Sequence, residues 1–125
     1  SNTVPPVVAY TAAHALKMLM ENNDQLKKVK SNTEYFREKM TELGFDFSPG
    51  EHPIVSIFIG EAIKAQEMAK KLLSEGVYVI GFGYPIVAKG KARVRVQVSA
   101  AHSQEDLDKA IAAFAKVGKE LEIIK

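Results

Sequence analysis

The chain has 125 residues, of which 46% are hydrophobic and 26% charged, and its formal net charge is +2. That length and balance suit one globular domain, are too small for two of ordinary size, and exclude a disordered or fibrous chain. The two signs of charge are interspersed, so nothing electrostatic favours nucleic acid or an anionic membrane as a partner.

The start, Ser1-Asn2-Thr3-Val4-Pro5-Pro6, has neither an initiator methionine nor the charged and apolar regions of a signal peptide. The expectation is therefore a segment cut from a longer chain, although a Ser-Asn start is also a common cloning remnant. Thr3 followed by Pro5-Pro6 reads as a helix start, with Thr3 as the capping hydroxyl and proline where a missing N–H is harmless. The helix predicted over 6–21 is rich in small residues (Ala9, Ala12, Ala13, Ala15) and apolar around nearly its whole circumference. Such a helix wants burial on more than one side. Asn22-Asn23 breaks it.

A second helix over 24–43 carries Leu26, Val29, Thr33, Phe36, Met40 and Leu43 at steps of three and four, with Gly44 just past its end. Its basic run, Lys27-Lys28-Val29-Lys30, reads as a solvated helix face. Phe45-Asp46-Phe47 alternates as a short strand and Ser48-Pro49-Gly50 turns. Residues 54–59 are β-branched and nearly continuously apolar, as in a buried strand. A helix over 62–73 has Ala65, Met68, Ala69 and Leu72 on one face, and 77–80 reads as a further strand.

In Ala92-Arg93-Val94-Arg95-Val96-Gln97-Val98 the alternation is strict. Ala92, Val94, Val96 and Val98 fall on one face, and Arg93, Arg95 and Gln97 on the other. Ser103-Gln104-Glu105-Asp106 has the form of a capping box. The last helix then turns Leu107, Ile111, Phe114, Val117 and Leu121 inward. The order ααββαββα implies an α+β fold: an antiparallel or mixed sheet of three to four strands, with helices packed on one face. The other face, with both arginines, has nothing in this chain left to cover it.

Cysteine is absent, which removes disulfides, thiolate catalysis and zinc–thiolate sites and fits a cytoplasmic protein. His14, His52 and His102 lack the spacing of a metal site, and no metal is expected. His102, beside a helix start, reads as a structural hydrogen-bonder, and Gly81, Gly83 and Gly90 as loop hinges. No apolar run approaches the roughly 20 residues that cross a bilayer.

The stretch Tyr84-Pro85 through Lys89-Gly90-Lys91-Ala92-Arg93-Val94-Arg95-Val96-Gln97 to Ser99-Ala100-Ala101-His102 resembles the C-terminal signature of the α-oxoamine synthases, pyridoxal-phosphate enzymes of fold type I. Ser1-Asn2-Thr3 and Val117-Gly118-Lys119-Glu120-Leu121 extend the resemblance across the chain, while Ala88 stands where the family implies proline. The resemblance implies a small C-terminal domain whose large catalytic domain is absent. It implies an acyltransferase that condenses glycine with acetyl-CoA to 2-amino-3-ketobutyrate and CoA, with pyridoxal phosphate as cofactor, acting as a homodimer joined through the large domain. Arg95 would bind the substrate carboxylate, and Ser1 and Asn2 would reach the cofactor phosphate. No catalytic residue is implied within the chain: the Schiff-base lysine belongs to the large domain, so the chain alone is expected to be inactive. Arg93 reads as an ion-pair or interface residue.

Two alternatives stay open. One is the same domain of another α-oxoamine synthase, such as one making 8-amino-7-oxononanoate for biotin. The other is a free-standing α+β module that binds a carboxylate or a protein. An apolar first helix left exposed would favour the domain readings over the free-standing one.

Overall fold

The computed structural model describes residues 3–125. Helix α1, Pro6–Glu21, and helix α2, Asp24–Glu42, come first; strand β1, Ile54–Gly60, helix α3, Ala62–Ser74, and strands β2, Ile80–Phe82, and β3, Ala92–Gln97, follow, and helix α4, Gln104–Glu120, closes the chain. The sheet is three-stranded and antiparallel throughout, ordered β1-β3-β2. The last strand in sequence is thus the middle strand in space.

Register follows the alternation of the sequence. Val55 pairs with Val96 and Ile57 with Val94, and the ladder slips by one residue between Phe58 and Gly60. Val55, Ile57 and Val94 are fully buried. Over them pack Phe36 and Met40 of α2, Ala65, Met68 and Leu72 of α3, and Leu107, Phe114 and Val117 of α4, all buried. Phe36 and Phe45 both meet Phe114 edge to face, with centroids 6.1 and 5.8 Å away, the arrangement that the ring quadrupole favours. The helices α2, α3 and α4 therefore supply the covered face, as expected for the α+β class.

Both α2 and α3 end on a glycine in the left-handed region: Gly44 at φ 88° and Gly76 at φ 84°. Gly44 N–H donates to the Thr41 carbonyl and Phe45 N–H to that of Met40; Gly76 and Val77 repeat this on Leu73 and Leu72. These are Schellman closures, and the second moves a strand boundary. With its N–H committed to closing α3, Val77 does not join the sheet, and pairing starts at Ile80 and runs on through Gly81 and Phe82. The strand expected over 77–80 is displaced accordingly. Phe45-Asp46-Phe47 reduces to one bridge, Phe47 to Ile57, because Phe45 is drawn into the core and Pro49 lies just beyond.

At the first helix the N-cap is Pro5, without a side-chain hydrogen bond, so Thr3 does not cap it. None of the residues of α1 is buried, and Val7, Tyr10 and Met20 are 70%, 72% and 88% exposed. The apolar circumference finds no partner among the described residues.

The capping box forms as read. Asp106 N–H donates to Ser103 Oγ at 3.1 Å, and Ser103 N–H to Asp106 Oδ2 at 2.9 Å. Ser103→Ala is expected to cost about 1 kcal/mol, read as a lowered urea midpoint. The Ser103 backbone N–H, and then its hydroxyl, hold the Asp106 carboxyl below the usual range. The resulting stabilisation is complete above the ordinary carboxylate pKa and lost as pH falls through the lowered value. Asp106→Asn should flatten that acid-side loss in urea midpoints followed against pH.

A candidate carboxylate-binding face

On the sheet face away from the helices the register groups a distinct set of residues. Arg93 lies between Phe58 of β1 and Phe82 of β2, and Arg95 between Ser56 and Ile80. Gln97 pairs with Ile54 at the end of the ladder. No helix among the described residues covers this face, and Arg95 and Gln97 are exposed.

Arg95 points out of the domain, over an aromatic ring: its guanidinium carbon is 4.6 Å from the Phe82 centroid. Arg93 rides 5.5 Å above Phe58, and its Nε–H donates to the Lys91 carbonyl at 3.4 Å. Neither arginine has an acidic partner among the described residues. Of the two roles read for Arg93, ion pair or interface, the ion pair is not formed among the described residues. Beside Arg95 opens a recess of about 260 Å³, with Tyr78, Gln97, Ser99 and His102 as its other polar residues and no carboxylate in its wall. A planar fork of donors over a ring, beside an acid-free recess, can receive an anion, and a carboxylate matches that fork bidentately.

The turn that ends this face is held from behind. Asn32 of α2, buried, donates through Nδ2 to the carbonyls of Ser99 at 2.9 Å and His102 at 3.0 Å. His102 Nδ1 accepts from the Ser99 N–H at 3.2 Å, the structural role read for it. Among the described residues no cluster of His, Cys, Asp and Glu could hold a metal, and no helix is long and apolar enough to cross a membrane. Ser1 and Asn2 lie outside the described residues. Lys64 pairs with Glu61, Lys71 with Glu120 and Lys27 with Asp24, all as exposed surface pairs.

Gly81 and Gly83 are not loop hinges. A Cβ on Gly81 would lie 2.7 Å from the Ala65 carbonyl oxygen, and one on Gly83 2.7 Å from Ala65's neighbour in the same helix, Ala62, at its Cβ. They exist to let β2 and its continuation lie directly under α3, and Gln66 Nε2 donates to the Gly81 carbonyl at 2.9 Å across the same contact. Gly90, at φ 75°, lies in a turn whose backbone favours glycine. The two phenylalanines under the arginines had no signal in spacing alone. Only the pairing of β1 and β2 with β3 brings Phe58 and Phe82 to that face.

The profile of the family described as aminotransferase class I and II matches residues 1–114, and the chain belongs to that family. Within it the α-oxoamine synthase resemblance holds, for relatives of two such kinds match nearly the whole of the chain. The mitochondrial 2-amino-3-ketobutyrate coenzyme A ligase of Mus musculus is 46% identical over 95% of the chain and 29% of its own length. An 8-amino-7-oxononanoate synthase of Symbiobacterium thermophilum is 45% identical over 99% of the chain and 32% of its own. Serine palmitoyltransferase of Sphingomonas wittichii superposes with a TM-score of 0.91 at 22% identity, over 100% of this chain and 32% of that one. The chain thus spans about a third of the length of the proteins it matches, and it has the fold of that part of a fold-type-I transferase.

Because the obstacle to a side chain at position 81 is the α3 backbone, Gly81→Ala must push strand and helix apart. A loss of roughly 1–3 kcal/mol is expected, read by chemical denaturation as a lowered midpoint relative to the unsubstituted chain.

Proposed function

We propose that this chain is the small C-terminal domain of a pyridoxal-phosphate-dependent acyltransferase that joins glycine to acetyl-CoA, forming 2-amino-3-ketobutyrate and CoA. The observation that carries the reading is Arg95: a guanidinium without an acidic partner among the described residues, on a sheet face that the domain leaves bare. In this reading the large domain supplies the Schiff-base lysine and closes over that face. Two subunits join through it, in the cytoplasm.

The cofactor fits what the chain offers. An unneutralised arginine on an open wall is suited to an anionic substrate held beside it, and Ser1 and Asn2 would reach the cofactor phosphate. When bound, pyridoxal phosphate supplies the electron sink that stabilises a carbanion. This chain's own part is orientation. Arg95 holds the amino-acid carboxylate through two parallel hydrogen bonds, which fixes the position of Cα and of the proton to be removed. The acid-free recess leaves that positive charge undiluted. Ser99 and His102, tied together and to Asn32, keep the end of the strand from moving.

The bareness of α1 supports the domain reading from a second direction. Val7, Val8, Tyr10, Leu16, Leu19 and Met20 are all more than half exposed on one helix, more apolar surface than scattered exposure explains. The relatives' greater length offers the missing cover. A second reading has a specific observation in its favour: the 8-amino-7-oxononanoate synthase is as similar as the ligase, at 45% against 46%. The acyl donor separates the two.

The full-length enzyme should consume glycine with acetyl-CoA in preference to longer acyl-CoAs in a panel; preference for a long, acidic acyl chain would transfer the assignment to the second reading. In the same enzyme Arg95→Lys is expected to raise the glycine KM roughly 10- to 100-fold, since a point charge cannot reproduce the fork. An unchanged KM would remove Arg95 from the site. The isolated 125-residue chain should bind anilinonaphthalene sulfonate, with fluorescence that disappears when the α1 apolar residues are covered in the full-length protein.

A further inference from the structure

Two like charges on one strand face need separation, and the register supplies it. Arg93 leans onto Phe58 on the β1 side, whereas Arg95 leans diagonally onto Phe82 on the β2 side. The two guanidinium groups therefore lie over rings on opposite sides of β3. Arg95 is exposed, and an exposed arginine without a partner has many rotamers to choose from. What restrains it is the ring 4.6 Å beneath its guanidinium.

We propose that Phe82 is a positioning residue for Arg95, an aromatic shelf that fixes the plane of the guanidinium and so the direction in which it presents its donors. The inference rests on the reading of Arg95 as the carboxylate receptor. An acid could also hold the arginine still, but it would occupy the donor edge and cancel the charge. A ring under the face restrains the plane, keeps the charge and leaves the N–H groups free for a ligand. Ile80, directly opposite Arg95 in the ladder, lacks a flat π-face and cannot do this.

The shelf is itself rigidly mounted. The glycines on either side of Phe82 face α3, one against the Ala65 carbonyl and the other against Ala62. Gln66 adds its hydrogen bond to the Gly81 carbonyl. Phe82 is thus the outward residue of a strand pinned from behind at both neighbours. Any shift of β2 would reach the guanidinium through the ring.

The test is a double-mutant cycle in the full-length enzyme. Phe82→Leu, with Phe82→Met as a second shelf-less variant, is expected to raise the glycine KM about three- to thirty-fold. The acyl-CoA KM and the melting temperature should stay near wild type, a split that general loosening would not produce. Phe82→Tyr, which keeps the π-face, should retain the wild-type glycine KM. Combined with Arg95→Lys, Phe82→Leu should add little to the effect of Arg95→Lys alone. A Phe82→Leu enzyme with wild-type glycine KM, or with both KM values raised together, or with effects that multiply those of Arg95→Lys, overturns the proposal. If Arg95→Lys raises the glycine KM while Phe82→Leu does not, only the shelf falls. If Arg95→Lys itself has no effect, the carboxylate reading falls and the shelf with it.

Discussion

The central strand β3 is hydrogen-bonded on both edges, and its period-two alternation leaves little freedom of register. With Val94 and Ala92 in the core, Arg93, Arg95 and Gln97 must face outward. A slip of one residue would bury two guanidinium groups beneath α3 and expose the valines. The same constraint decides which residues of β1 and β2 lie beside the arginines. Ser56, Phe58, Ile80 and Phe82 are on that face because they pair with Arg93 and Arg95.

From that register a division of labour follows. One side of the sheet carries the core, where three helices meet over fully buried valine and isoleucine and where edge-to-face rings join α2 to α4. The other side carries polar groups that the described residues neither cover nor neutralise. The core and the proposed binding surface thereby lie on opposite faces of the same three strands. Close packing on the first face, at Gly81 against the α3 backbone, limits motion on the second.

The first helix is a second surface that the described residues leave open. A helix apolar all round is stable when surrounded, and α1 is surrounded by nothing among the described residues. Its exposure and the bare arginine face are independent features, one apolar and one charged. Both support the proposed reading as one domain of a longer protein, and the relatives are about three times as long as the chain.

Most of the helices were legible in the sequence, since apolar spacing, the glycine stops and the capping box are local features of short-range sterics and hydrogen bonding. The two faces of β3 were legible for the same reason, and so was the outward placement of Arg95. The order of the strands was not, nor was the start of β2, which depended on Val77 N–H closing α3 instead of joining the ladder. Phe82 and Phe58 gave no local sign of their place beneath the arginines, and Gly81 and Gly83 looked like loop residues. The sequence alone determined which side chains share a strand face, because that is set by the alternation of one chain. Only the tertiary structure decided which rings, glycines and helices meet that strand, because cross-strand register and close backbone approach join residues that no local periodicity connects.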